Sequence, residues 1–249
     1  MKIGIFIYSF PHWKTQNGLF NLCFNGYKPS LALAADAVKL DFYRSKIRTS
    51  TQGLYLHKPK DLCIHHKVPY YNLKHNSSEC IKIIKKNKLD LGIILGARIL
   101  KQEVIDAFKL GIVNMHPGVL PENRGLDNIK WSVIKNLPIG VTSHFIDSRI
   151  DMGEKLLSDQ IKIYEDDEFL DFCVRNQNLE QEVMIKTLDK ISKEYPDIKT
   201  HKLGDGFYHK SVNPEIEKHL YEHVSIYKKR YFQPSFRGFS EKEMYYFNP

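Results

Sequence analysis

The chain reads as an α/β layered protein with a largely parallel sheet, and three observations lead there. Lys2–Tyr8 (KIGIFIY) and Leu89–Leu95 are short runs that are apolar on both faces, as in strands covered by helices on either side. Stretches with apolar residues at helical spacing lie between such runs. The alternation persists over about the first 190 residues, which is the order that builds βαβ units.

In chain order, Lys2–Tyr8 is the first strand and Leu31–Ala34 a weaker second one. Asn76–Ser78 supplies a helix cap, followed by Cys80, Ile81 and Ile84 on one face and by basic residues near the end. Leu89–Leu95 is the clearest buried strand. Leu100, Val104, Ile105 and Phe108 mark one face of a helix that stops at Gly111. Gly111–Met115 is a short strand that enters a Pro-rich loop. Asn128–Lys135 is helical, and Pro138 ends it. Gly140–Ile146 and Lys155–Ile163 are strands joined by a polar turn. The acidic run Glu165–Glu168 suits a helix N-terminus, and Leu179, Val183, Leu188 and Ile191 continue that helix as an apolar stripe.

After Tyr195–Pro196 the texture changes, and Leu203–Pro249 is rich in Tyr, Phe, His and Lys. The chain divides into a main domain over residues 1–195 and an extension over 196–249 that is too short for a stable core of its own. Arg230–Ser240 sets turn residues between aromatic flanks, as a β-hairpin does.

Composition narrows the function classes. With 249 residues, 42% apolar and 27% charged, this is the makeup of a soluble globule. No apolar run reaches the ~18 residues of a membrane span. The N-terminal apolar stretch is too short for a signal-peptide core, so a cytoplasmic protein is expected. Cys23, Cys63, Cys80 and Cys173 form no CxxC pair, which argues against a disulfide framework or a zinc knuckle. Cys63, His65 and His66 lack a second ligand pair, and no metal is expected. The net charge of +8 is spread thinly and suits an anionic substrate as well as nucleic acid.

Neither a Gly-x-Gly-x-x-Gly turn nor a Walker loop occurs, which disfavours a dehydrogenase or a P-loop enzyme. Two candidate strand ends stand out. Val113–Gly125 (VNMHPGVLPENRG) places an amide, Asn114, and an imidazole, His116, two apart on one side of a strand, then stiffens the loop with prolines and glycines. Ile150–Gly153 places a carboxylate, Asp151, in a turn between strands. Amide, imidazole and carboxylate suit acyl-group chemistry: an oxyanion donor, a proton carrier and a group that orients the imidazole. No Ser or Cys is placed as a nucleophile, so direct transfer to an amine fits better than a covalent acyl-enzyme. On spacing alone, Asn-x-His could equally satisfy backbone groups and Asp151 could be a turn residue.

Leu95–Leu100 (LGARIL), Gly111–Pro121 (GIVNMHPGVLP), Arg124-Gly125, Gly140–Phe145 (GVTSHF) and Ile150–Gly153 (IDMG) occur in that order. Together they closely resemble the folate-dependent formyltransferase family, which includes phosphoribosylglycinamide, methionyl-tRNA and nucleotide-sugar formyltransferases. Glu122–Gly125 followed by Trp131-Ser132 looks most like the nucleotide-sugar N-formyltransferases. The resemblance implies a Rossmann-like sheet and a catalytic triad of Asn114, His116 and Asp151. It implies 10-formyltetrahydrofolate as donor, held by Gly96, Ala97, Arg98, Ile99, Leu100, Phe145 and Asp147. Met152 departs from the Thr or Ser of many relatives, but it leaves Asp151 in place.

The acceptor must be read from the remaining chain. The tRNA-directed relatives carry a further C-terminal barrel of about a hundred residues, and only about fifty residues remain here, so no nucleic-acid partner is expected. A nucleotide-sugar acceptor is implied, with dTDP-4-amino-4,6-dideoxyglucose the first choice. Arg124, Trp131, Tyr227 and Arg230 are the expected acceptor contacts, with Tyr221, Tyr231, Phe232 and Arg237 as further candidates. Phosphoribosylglycinamide formyltransferase is the enzymatic alternative, and a non-catalytic RNA-binding module with a basic tail is the alternative from another class. The aromatic tail is more than a solvated segment should expose, so a homodimer built on it is expected.

Overall fold

The computed structural model describes residues 1–39, 43 and 45–231. The chain begins with β1 (Ile3–Tyr8), α1 (Trp13–Phe24), β2 (Leu31–Ala35), α2 (Pro59–His65), β3 (Tyr70–Asn72), α3 (Ser78–Asn87) and β4 (Leu91–Ile94). It continues through α4 (Gln102–Ile105), β5 (Gly111–His116), β6 (Arg124–Gly125), α5 (Asn128–Lys135), β7 (Gly140–Phe145) and β8 (Glu154–Gln160). The long α6 (Phe169–Glu194) is followed by β9 (His201–Lys202), β10 (Tyr208–His209), α7 (Pro214–Glu217) and α8 (Leu220–Tyr231).

Eight strands form one sheet in the order β3-β2-β1-β4-β5-β7-β8-β9, and β10 pairs with β6 in a separate two-stranded ribbon. From β3 to β5 every pairing is parallel, while β7, β8 and β9 add antiparallel. This is the expected mostly parallel α/β sheet flanked by helices. Side-chain alternation makes the two faces. Ile3, Ile5 and Ile7 of β1 pack with Leu19 and Leu22 of α1 and Val183, Leu188 and Ile191 of α6. Phe6 packs on the other face with Leu31 and Leu33, closed by Cys80 and Ile84 of α3 and by Val104 and Phe108.

Local chemistry sets the ends of several elements. Ser77 caps α3 by accepting the Cys80 N–H. Glu168 and Asp171 form a reciprocal capping box at the start of α6. The Leu100–Phe108 segment differs from the single helix expected: only Gln102–Ile105 is helical. Its four apolar residues are buried all the same, because irregular turns present them to the sheet.

The described part of the extension carries the two short strands β9 and β10 and then the helices α7 and α8. Leu220, Val224 and Tyr227 sit at helical spacing, and that face of α8 packs on Phe169, Phe172 and Val133. This corrects the hairpin expectation at its start, since Arg230 and Tyr231 end α8. The rest of the expected hairpin, with Phe232 and Arg237, lies outside the described residues.

Candidate active site

The site forms at the end of β5. Asn114 and His116 share a face of that strand, while Met115 between them turns into the core. β7 runs antiparallel to β5, and the turn from β7 to β8 returns Asp151 to it. Asp151 sits at φ 51°, in the left-handed region that Asp tolerates better than most residues. Its Oδ1 lies 3.3 Å from His116 Nδ1. Its Oδ2 accepts the Gly125 N–H at 3.0 Å. Asn114 is half-buried. Amide, imidazole and carboxylate, spread over 38 positions of sequence, thus meet at one strand end.

The loop after β5 holds the other side of the imidazole. His116 Nε2 lies 2.8 Å from the Asn123 carbonyl oxygen. Asn123 is fully buried; its Nδ2 donates to the Asn128 carbonyl at 2.8 Å and to Ser132 Oγ at 2.9 Å. Asn128 Nδ2 donates back to the Asn123 carbonyl at 3.0 Å. A Cβ at Gly118 would stand 2.7 Å from that carbonyl oxygen and 3.0 Å from His116 Nε2, so the close loop requires glycine there. Leu120 N–H donates to Thr142 Oγ1 at 3.0 Å, fixing the loop to β7.

The electrostatics follow from these contacts. Burial pushes the Asp151 carboxyl up, but the hydrogen bond and charge of His116 and the Gly125 N–H outweigh it and hold the group below the usual carboxylate range. Asp151 is therefore ionised at neutral pH. An acceptor faces each ring nitrogen of His116, and a ring carrying both protons donates to both.

The expected donor-binding segments frame one side of this centre. Ala97 and Ile146 pack against the same apolar cluster, which brings Gly96–Leu100 and Phe145–Asp147 together. Tyr8 stacks closely under Gly96 and donates its hydroxyl to the Ala97 carbonyl at 3.0 Å. Asn76 pins the loop by donating to the Ile99 carbonyl and accepting the Lys101 N–H. Ile99 is left 69% exposed on this rigid loop, and Leu100 turns into the core. Arg98 is exposed, and Asp147 pairs with Arg149. Among the described residues no cluster of three or more His, Cys, Asp or Glu is placed to hold a metal ion.

The expected acceptor contacts separate. Arg124 bridges two loops, its guanidinium donating to the Ile150 carbonyl at 2.7 Å. Trp131 stacks on His209 at 4.8 Å between centroids and donates its indole N–H to the Lys210 carbonyl. Tyr227 is a correction: it is 1% exposed, and its hydroxyl is shared between the Leu137 carbonyl and the Ile139 N–H. It is a core residue and has no surface to offer an acceptor. Arg230 lies at the end of the same helix, over the Tyr231 ring.

Sequence reasoning did not single out Asn123, His144 or Lys14. Lys14 Nζ donates to the Met115 carbonyl at 3.0 Å and pairs with Glu180 at 2.5 Å, bracing β5 beside the triad. The β6–β10 ribbon was also missed; Tyr208 and His209 pair in parallel with Arg124 and Gly125.

The family model for formyl transferases matches residues 42–188. The methionyl-tRNA formyltransferase of Clostridium perfringens is 35% identical over 109 residues, a stretch that is 42% of this chain and 35% of that protein. The chain thus spans about a third of that curated relative's length. The phosphoribosylglycinamide formyltransferase structure from Anaplasma phagocytophilum superposes with TM-score 0.61 at 14% identity, covering 84% of this chain and 100% of that one. The formyltransferase PseJ from Anoxybacillus kamchatkensis, solved with UDP-4,6-dideoxy-4-formamido-L-AltNAc and tetrahydrofolate, superposes with TM-score 0.54 at 19% identity, covering 88% and 90%.

Proposed function

The chain belongs to the formyl transferase family, and on that premise we propose that it transfers a formyl group from 10-formyltetrahydrofolate to the amino group of a nucleotide-linked amino sugar. The acceptor we infer is dTDP-4-amino-4,6-dideoxyglucose, used in the cytoplasm by a homodimer. The meeting of Asn114, His116 and Asp151 at the end of β5 is the observation that carries the reading.

Each residue has a task. The loops at Gly96–Leu100 and Phe145–Asp147 hold the donor, and Asn114 and His116 face its formyl group. A neutral amine attacks the formyl carbon, Asn114 donates a hydrogen bond to the oxygen as it gains charge, and His116 turns its Nε2–H to that oxygen in place of the Asn123 carbonyl. The new N–C bond forms as the bond from carbon to the donor nitrogen breaks. A water at Asp151 carries the surplus amine proton to the departing nitrogen.

The sugar-nucleotide reading is supported by the segment after α6. β10 lies along β6, next to the Asp151 turn, and leaves Phe207 73% and Tyr208 47% exposed. Flat aromatic faces beside Arg124 suit a nucleobase and a pyrophosphate. Incubation with 10-formyltetrahydrofolate and a panel of amino-sugar nucleotides, glycinamide ribonucleotide and methionyl-tRNA tests the reading by mass. The expected outcome is a gain of one formyl group on an amino-sugar nucleotide. Formylation of glycinamide ribonucleotide or methionyl-tRNA alone overturns it.

A further inference from the structure

α1 turns aromatic side chains away from the sheet. Its buried residues, Thr15, Gly18, Leu19 and Leu22, form one stripe. At 3.6 residues per turn Phe20 and Phe24 fall on the opposite side, one turn apart. They are 53% and 78% exposed, and their rings stack on each other at 5.8 Å between centroids, 17° from parallel. α2 lies beside α1, with Leu62 and Cys63 in the same apolar cluster as Leu19, Leu22 and Cys23, and it leaves Ile64 63% exposed. One open phenylalanine is ordinary, but a stacked pair on the outermost line of a helix marks a contact surface.

The charge around the pair has one sign. Residues 13–28 contain no carboxylate, and residues 58–67 contain only Asp61. Lys14 is taken up by Glu180, while Lys28, Lys58, Lys60 and Lys67 are exposed. Lys28 stands at the seam of the two helices. Burial raises the Cys23 thiol against the pull of the Lys28 ammonium, and burial, His65 and Lys28 together lower the His66 ring. On the neighbouring α6, the Asp189 carboxylate is engaged by the Tyr27 hydroxyl at 2.5 Å.

We propose that the outer face of α1, with α2, docks on an anionic membrane surface. Phe20 and Phe24 enter the boundary between headgroups and acyl chains, and Lys28, Lys58, Lys60 and Lys67 meet the lipid headgroups. The rings crown a helix, so the face is convex. A fluid bilayer closes around a convex aromatic pair, whereas a protein partner would need a pocket shaped for it. Shallow apolar insertion and basic charge are each marginal alone and hold a protein at the surface together. Among the described residues no helix is long and apolar enough to cross a membrane, so the attachment is peripheral. α1 starts at the end of the sheet where Asn114 and His116 lie, and Phe20 and Phe24 occupy its farther half. The docked protein therefore keeps the catalytic end open to solution.

This inference is independent of which group the protein transfers. Co-sedimentation of the full chain with vesicles of phosphatidylcholine alone, and of phosphatidylcholine mixed with phosphatidylglycerol, tests it. Binding is expected to the mixed vesicles only and to weaken as salt rises. Phe20→Ser/Phe24→Ser is expected to weaken it by about tenfold or more, and Lys28→Gln/Lys60→Gln by roughly fivefold per lysine. All four positions are exposed, so thermal melts of both variants should match the wild type. The emission of Phe24→Trp should move to the blue on mixed vesicles. Absence of wild-type binding to mixed vesicles at low salt overturns the proposal, as does equal binding to phosphatidylcholine alone. Full binding by Phe20→Ser/Phe24→Ser overturns it too, because charge alone would then suffice. A change of oligomeric state in that variant assigns the pair to a contact between copies and likewise overturns it.

Discussion

Replacing Glu217 by Gln should destabilise the protein by about 3 kcal/mol at neutral pH. Glu217 and Lys130 are 4% and 3% exposed and lie 2.8 Å apart. The carboxylate also accepts from the Ser45 hydroxyl, from Tyr43 at 2.8 Å and from the Lys46 N–H at 3.1 Å. Burial pushes the carboxyl up, but Lys130 and the other donors outweigh it and bring the group down to about 2 from its ordinary 4.5. At ~1.36 kcal/mol per unit the difference is roughly 3 kcal/mol. A depressed carboxyl contributes its stability above its unfolded value, so the whole amount is present above about pH 5 and is lost as pH falls toward about 2. Gln offers a neutral acceptor and leaves the buried Lys130 ammonium with the Ser45 hydroxyl at 2.8 Å and, among the described residues, only the Asp127 carboxylate, 3.9 Å away, to balance its charge. Breaking a buried pair from one side costs ~3–5 kcal/mol by general experience, which agrees. Urea unfolding of wild type and Glu217→Gln at pH 7 and pH 3 reads the effect. The gap should fall to roughly half or less at pH 3. The double variant Lys130→Met/Glu217→Leu should recover most of the loss. A gap under about 1 kcal/mol at pH 7, or an equal gap at pH 3, would refute the reasoning.

Other expectations concern the site and the tail. Asn114→Ala or His116→Ala should lower kcat by ~10²–10³ with little change in acceptor affinity, since each acts on charge absent from the ground state; steady-state kinetics checks it. Gly118→Ala should slow turnover by displacing His116, whose Nε2 lies 3.0 Å from the added Cβ, and a folded variant with wild-type kcat would contradict this. His144 and His12 are both held neutral with values of about 4, mainly by burial, so the unfolded chain binds protons that the folded one refuses. Stability should therefore fall as pH drops from about 6.5 toward 4, and His12→Gln should flatten that slope in thermal melts. On the proposed homodimer, truncation after Tyr227 should yield a monomer in sedimentation at micromolar concentration, and a full-length protein that is already monomeric there would contradict that reading.

The strands flanking the site were legible because each is a short run with an unambiguous burial pattern. β1 and β4 are apolar on both faces, and α6 announces itself by its acidic cap and long stripe. α1 was not legible. It buries Thr15 and Gly18 while exposing Phe20 and Phe24, so its apolar residues do not trace its buried face. The triad was legible in part, because Asn114 and His116 share one strand and local alternation fixes their common side. Asp151 could be named, but its reach to His116 depends on the β5–β7–β8 register. The clamp on His116 by the Asn123 main-chain carbonyl carries no side-chain signature, and His144 meets the site only because a distant turn brings Asp151 to it. Tyr227 was misread because an aromatic in a basic stretch looks the same from sequence whether it faces a ligand or fills the core.

The β6–β10 ribbon gives the centre a place in time as well as in space. The Val212 N–H reaches back 85 positions to Asp127, and the Trp131 indole reaches forward 79 positions to Lys210. β10 in turn lies along Arg124-Gly125, whose N–H fixes Asp151. During synthesis the parallel strands and the Asn-x-His segment emerge first and can fold before residues 207–212 exist. Contacts of such long sequence separation form late. A growing chain halted before Tyr208 would have the sheet without the segment that lies along the loop between His116 and Asp151, so the support of the Asp151 carboxylate is completed after the sheet is.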